Sequence, residues 1–380
     1  MTHDITPITM PKFGLAMTEG KIAGWMVEPD TAIKTGDELV DIETSKITNA
    51  FESPVTGTLR RQVAGNGEML PVGALIGVVA DPAVPDTDID AFITRFQAEF
   101  AASADAQSDS APADEPVMMT VGGHTLRVHE RGEGDGTPLL LIHGFGGDLK
   151  NWMLNHAALA HGRRVIAFDL PGHGESSKDV GPGTLAFFAD VTAQLLAQLK
   201  IEQAHVMGHS LGGGIALTLA QAAPQSVASL VLVAPAGLGP QINMTFINGF
   251  IEADRVRAVQ DVLKYLVHDK SLIGRRMSDD VLRYKRLDGV QAALRTVADA
   301  CFPGGHQGDD LRPVLAAVDV PVTVIWGRED EILPVTQADG LSTAVERHIL
   351  PDIGHMPQLE SAGKVNEMVE EFMKSKVVAT

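Results

Sequence analysis

A serine, an aspartate and a histidine, met in that order along the chain, are the residues here whose surroundings suit nucleophilic catalysis. Ser210 stands in Gly208-His209-Ser210-Leu211-Gly212, between an apolar run (Ala204 to Met207) and a run of helix formers (Ile215 to Ala223). In a strand–turn–helix context this G-x-S-x-G spacing makes a turn so tight that the serine is thrust out at the sheet edge, with glycines on either side because a Cβ would collide there. A Gly-rich loop with an incidental serine would show the same five letters, so the partners decide. Trp326-Gly327-Arg328-Glu329-Asp330-Glu331 follows an apolar run, and within it Asp330 is the preferred acid while Glu329 and Glu331 read as solvated. Gly354-His355-Met356-Pro357 follows the last such run and supplies the base. In this order His355 would take the Ser210 proton and Asp330 would hold the imidazole. His143-Gly144-Phe145-Gly146-Gly147 adds a second glycine loop, whose Phe145 N–H would join that of Leu211 at the helix start to hold an oxyanion. His143 itself, and Asp169 and His173 in a separate turn, read as structural.

A different chemistry is available near the N-terminus. Asp41-Ile42-Glu43-Thr44-Ser45-Lys46-Ile47 reads as two strands joined by a tight polar turn with Lys46 at its tip. An exposed, rigidly held lysine suits a modifying enzyme, although a solvated hairpin lysine is the ordinary meaning of such a residue.

The elements that must position these groups fall into two patterns. Up to residue 80, short alternating runs (Lys21 to Val27, Glu38 to Ile42, Lys46 to Phe51, Gly57 to Val63) broken by Gly, Pro and Asp predict a small all-β domain of paired sheets. From Val117 the apolar runs Leu126 to His129, Pro138 to His143, Arg164 to Asp169, Ala204 to Met207, Ser229 to Ala234, Val322 to Trp326 and Arg347 to Leu350 read as strands. Thr184 to Lys200 and Leu211 to Ala223 have helical periodicity. That alternation predicts a mostly parallel sheet covered on both faces, with ligands beyond the carboxyl ends of its strands. Residues 81–116 between the patterns carry one Lys/Arg against nine Asp/Glu, and are rich in Ala, Ser and Pro. They read as an acidic linker. As a flexible coil the stretch would span roughly 33 Å. Phe92, Ile93, Phe96 and Phe100 predict a short helix near 88–103 within it, either transient or a docking element.

Composition sets outer bounds. Thirty Lys/Arg against forty-nine Asp/Glu give a net charge of −19, which argues against general nucleic-acid binding. A single cysteine, Cys301, leaves no internal disulfide and suits a reducing compartment. No signal-peptide pattern or bilayer-length apolar run is present, and the expected location is cytoplasmic. No metal site is expected.

Residues 5–80 resemble a lipoyl (biotinyl-type) domain. The resemblance rests on Glu43-Thr44-Ser45-Lys46, Glu52-Ser53-Pro54-Val55-Thr56-Gly57, and Met10-Pro11-Lys12 ahead of Gly20-Lys21-Ile22. It implies covalent lipoate on Lys46, since biotin carriers have methionines beside that lysine. Asp30 stands where the family often has glycine, a mild departure because Asp tolerates a left-handed backbone. Residues 117–376 resemble the α/β-hydrolase family through the three motifs above, with 236–305 as its helical cap. The expected fold is therefore multidomain: an all-β lipoyl domain over 1–80, the linker, and an α/β-hydrolase domain over 117–380.

The pairing resembles the acyltransferase subunits of acetoin dehydrogenase complexes. That resemblance implies acetyl transfer from the lipoyl arm to coenzyme A. It also implies a thiamine-diphosphate-dependent acetoin-cleaving subunit and dihydrolipoyl dehydrogenase as partners, and a homo-oligomer. The His-x-x-x-Asp-Gly signature of the wider acyltransferase family is absent, the nearest stretch being His306-Gln307-Gly308-Asp309-Asp310 followed by Leu311. A thioesterase, a carbon–carbon bond hydrolase, and a lipoyl carrier with a scaffold domain remain as alternatives. From Arg255 to Arg286 nine Lys/Arg face four Asp/Glu, either a solvated helix face or a landing site for the phosphates of coenzyme A.

Overall fold

The computed structural model describes residues 5–11, 19–43, 48–106 and 115–377, and divides into two compact units, 1–112 and 113–380. In the first unit, β1 (Thr6–Thr9), β2 (Glu19–Trp25), β3 (Thr31–Ile33), β4 (Glu38–Glu43), β5 (Thr48–Glu52), β6 (Gly57–Gln62), β7 (Met69–Pro71) and β8 (Leu75–Ala80) form two four-stranded antiparallel sheets. Their orders are β1-β8-β6-β3 and β5-β4-β2-β7. The alternating residues Ile8, Ile22, Ile42, Leu59 and Ile76 meet in one core.

Strand β8 is buried at every position, which a two-sheet sandwich alone would not require. The reason is helix α1 (Asp86–Ala106), longer than the 88–103 expected. Its Ile89, Phe92, Ile93 and Phe96 pack with Leu75, Val78 and Ala80. Arg60, 8% exposed, fastens it: Nε meets Asp30 Oδ1 at 2.9 Å and Nη2 meets Asp86 Oδ1 at 2.8 Å, while Nη1 donates to the carbonyls of Asp81 and Val84. Asp30 has φ 65°, the left-handed backbone expected of the position where the lipoyl family often has glycine, and its carboxylate is one of the Arg60 partners. The periodic half of the acidic stretch thus packs on the first unit instead of serving as open tether.

In the second unit, β9 (Val117–Val121), β10 (His124–Arg131), β11 (Gly136–Ile142), β12 (Arg163–Phe168), β13 (Ala204–His209), β14 (Val227–Val233), β15 (Val322–Gly327) and β16 (Glu346–Leu350) form one sheet of order β16-β15-β14-β13-β11-β12-β10-β9. The run from β12 through β11, β13, β14 and β15 to β16 is parallel, and β10 and β9 pair antiparallel at one edge. The short edge strand β9, half exposed along its length, carries too little periodicity to be read in advance. Helices α2 (Leu185–Gln198) and α3 (Leu211–Ala222) share one core with the sheet. The segment 236–305 holds α4 (Met244–Glu252), α5 (Val256–Leu263), α6 (Arg275–Lys285) and α7 (Val290–Cys301). After α8 (Arg312–Ala317) and α9 (Pro357–Glu360), α10 (Ala362–Val377) buries Val365, Val369 and Phe372 against the opposite sheet face. Among the described residues no helix is long and apolar enough to cross a membrane.

Candidate active site

Strand β13 stops at His209, and α3 starts at Leu211, so Ser210 alone makes the turn, with φ 55° and ψ −118°. A non-glycine residue holds such a conformation only when its surroundings over-determine it. Here Ser210 N–H donates to Val233 O at 2.9 Å, and Ser210 O accepts from Gly213, Gly214 and Ala236. The flanking glycines are obligatory: a Cβ on Gly208 would lie 2.2 Å from Gly212 O, and one on Gly212 would lie 2.2 Å from Ile142 O.

Asp330 and His355 leave the ends of neighbouring strands β15 and β16 and meet, Oδ2 to Nδ1, at 2.7 Å. Both side chains are sealed from water, at 0% and 2% exposure. The Asp330 carboxylate is saturated: Oδ1 accepts from the Ile332 and Leu333 amides, and Oδ2 also accepts from Trp326 Nε1 at 2.9 Å. Glu329 proves not to be free in solvent, because its Oε2 accepts from Ile353 N–H at 3.1 Å and its own N–H donates to Ile353 O. Glu331 is exposed and pairs with Lys270. Its carboxylate is thus tied to the cap.

Ser210 is brought to the histidine through its predecessor. His209 Nε2 is 2.9 Å from His355 O, and the two rings lie 4.8 Å apart. Among the described residues no hydrogen bond joins Ser210 Oγ to the His355 ring, and such pairs are often long without substrate. Sequence reading passed over both Trp326 and His209. Their signal was available only as adjacency, Trp326 closing the strand before the acid and His209 preceding the nucleophile.

The second glycine loop lies against the elbow, since a Cβ on Gly144 would fall 3.0 Å from Ser210 Cβ. Neither Phe145 N–H nor Leu211 N–H meets an acceptor among the described residues. Two unused amides at a helix start and an adjoining loop are what a developing oxyanion needs. The Phe145 ring packs under the cap, against Phe250 and Phe302.

His143, fully buried, donates from Nδ1 to Gly144 O at 2.8 Å and accepts from Leu170 N–H at 3.0 Å through Nε2, so it shapes the loop as a neutral imidazole. Burial pushes it down to about 4. Asp169 accepts from the Leu149 and Glu175 amides, and His173 bonds to Pro171 O. These three are the scaffold the sequence suggested.

Burial also lowers His173 to about 3, His205 to about 4 and His209 well below the ordinary imidazole value. All four histidines are neutral in the fold, whereas the unfolded chain takes up their protons below about pH 6.5. Each therefore contributes stability that is present above pH 6.5 and lost as pH falls toward 4, by up to about 1.4 kcal/mol per pH unit. Asp169, raised to about 7 mainly by burial, and Asp148, raised for the same reason, act in the opposite direction but are outnumbered. Calorimetry of the protein from pH 7 to pH 4 is expected to show the second unit's midpoint falling steadily. A flat profile would refute the neutral assignment.

Lys46 lies outside the described residues. The described residues that flank the stretch, Glu43 and Thr48, face each other at the end of the β4–β5 ladder. The basic cap stretch is neutralised only in part from within. Lys264, Arg275 and Arg283 pair with Asp261, Asp279 and Asp280, and Lys285 donates to Ala253 O over the Phe250 ring.

Comparison with known proteins agrees with this division. Residues 137–362 match the model described as alpha/beta hydrolase fold, and residues 6–79 match that of biotin-requiring enzymes. A dihydrolipoyllysine-residue acetyltransferase component of an acetoin cleaving system from Pseudomonas putida is 46% identical over 97% of this chain and 99% of its own. The chain belongs to that acetyltransferase family. A member from Cupriavidus necator is 42% identical over 97% of each chain. Among solved structures, a meta-cleavage product hydrolase from Pseudomonas fluorescens IP01 shares the fold at TM-score 0.62 and 24% identity, over 68% of this chain and 97% of that one. Family membership thus joins a biotinyl/lipoyl-type first unit to a second unit with a hydrolase fold.

Proposed function

We propose that this acetyltransferase moves an acetyl group from a lipoyl thioester on Lys46 to coenzyme A through an acetyl-Ser210 intermediate. Its expected setting is an acetoin-cleaving assembly with a thiamine-diphosphate-dependent subunit and dihydrolipoyl dehydrogenase. The observation that carries the reading is the buried Asp330–His355 pair beside the Ser210 elbow, in a chain that matches the acetyltransferases over almost its whole length. Lipoate on Lys46, when bound, supplies a mobile thiol that holds the acetyl group as a thioester. The paired strands on either side of Lys46 fit such an attachment point.

Ser210 Oγ attacks the thioester carbonyl carbon as His355 Nε2 accepts its proton. Asp330 keeps the Nδ1 proton in place and stabilises the imidazolium. The Phe145 and Leu211 amides hold the oxyanion, each donor worth about 2.7–4 kcal/mol. As the carbon–sulfur bond breaks, His355 returns the proton to the departing thiol. In the second half His355 accepts the coenzyme A thiol proton, the thiolate attacks acetyl-Ser210, and the proton returns to Ser210 Oγ. The cap keeps water from taking the place of that thiol.

The test is to incubate acetyl-loaded protein with and without coenzyme A. Transfer yields acetyl-coenzyme A, whereas free acetate with coenzyme A present would make the protein a thioesterase. Lys46→Arg is expected to abolish activity in the assembled complex while hydrolysis of a small free ester stays unchanged. Joint loss of both would disprove the division of labour between the units.

A further inference from the structure

The loop that carries His355 is held from outside the triad. Gly354 N–H donates to Glu360 Oε1 at 2.8 Å. The other oxygen of the same carboxylate accepts from His268 N–H at 2.7 Å and Asp269 N–H at 3.2 Å. Those two amides belong to the cap, in the stretch between α5 and α6. The two backbones are in direct contact, because a Cβ on Gly354 would lie 2.7 Å from His268 N and 2.8 Å from the Val267 carbonyl carbon. Glu360 is itself fixed relative to the base, its own N–H donating to Met356 O at 2.9 Å. A second tie runs from the same cap stretch to the acid loop: Lys270 Nζ donates to Lys264 O and Val267 O and pairs with Glu331, the neighbour of Asp330.

We propose that Glu360 is a positioning residue for acyl transfer. Its carboxylate pins cap residues His268 and Asp269 onto the His355 loop, which sets the imidazole against Asp330 and keeps water off the acyl-enzyme. This rests on the role given above to Ser210 and His355. Three N–H donors converge on one side chain, and only an acceptor-only group satisfies them all. Glutamine keeps one oxygen and turns an N–H₂ toward either Gly354 or the cap amides. Such a conflict frees the cap stretch or shifts the histidine loop, and misplacement by about 1 Å can cost on the order of 100-fold in rate.

The experiment uses the full-length lipoylated protein and compares wild type with Glu360→Gln and Glu360→Asp. Three quantities are read: kcat and KM for p-nitrophenyl acetate, the split of an acetyl thioester between acetyl-coenzyme A and acetate, and the thermal midpoint. For Glu360→Gln we expect kcat to fall about 10- to 100-fold, KM to stay within about twofold, and the acetate share to rise several-fold. Glu360→Asp, which keeps the charge but withdraws it by one methylene, falls between the two. A kcat or an acetate share equal to wild type overturns the proposal, whatever happens to the midpoint, since a merely structural carboxylate would move only that. If wild type itself forms no acetyl-coenzyme A, the transfer reading fails. The ester kcat of the variants then still judges the clamp.

Discussion

Ser210→Ala lowers acetyl transfer by a factor on the order of 10⁶, and it lowers hydrolysis of a free ester equally. The equality follows from the geometry. Ser210 is the residue that leaves β13 with φ 55°; Gly208 and Gly212 let the backbone close on either side of it, and Gly144 leaves space beside its Cβ. No second hydroxyl stands at that turn. What survives is the contribution of the two free amides and of binding, so coenzyme A affinity stays close to wild type. Rapid-quench measurement with acetyl-loaded protein would also find no acetyl-enzyme. Retention of more than a hundredth of the activity would mean that the thiol of coenzyme A attacks the thioester directly, with the elbow as a mere template.

Asp330→Asn costs about 10⁴ in kcat while the change in KM stays small. The carboxylate receives four donors: the Ile332 and Leu333 amides on Oδ1, and Trp326 Nε1 and His355 Nδ1 on Oδ2. An amide keeps one oxygen, so two of those donors must face an N–H₂ group. If the backbone amides keep the oxygen, His355 must flip to the tautomer that leaves Nε2 protonated and unable to take the Ser210 proton. If the imidazole keeps it, two buried amides go unsatisfied, at roughly 1–3 kcal/mol each in stability. Measured kcat and thermal midpoint together tell which occurs. Wild-type values of both would move the role of acid elsewhere.

Much of this was legible in the residues. Strand and helix alternation after Val117 follows from side-chain periodicity, and the elbow follows from glycine spacing, both of which are local properties. The order Ser210, Asp330, His355 was legible for the same reason, because each residue closes an apolar run. The sequence also determined that the two units differ in kind, one built from short alternating strands and one from longer buried ones.

Tertiary structure decided what depends on residues far apart in the chain. Asp330 stands between two other carboxylates, and only the arrangement of Ile353 and Lys270 shows Glu329 bound to the histidine loop and Glu331 turned to the cap. Helix α1 was readable as a helix, but its attachment needed the apolar outer face of β8 and the fork of Arg60. His209 and Glu360 reach the His355 loop through a backbone carbonyl and a backbone amide, which are the same in every residue. Such contacts leave no mark in residue type or spacing, and they appear only when the chain has brought distant segments within hydrogen-bond reach.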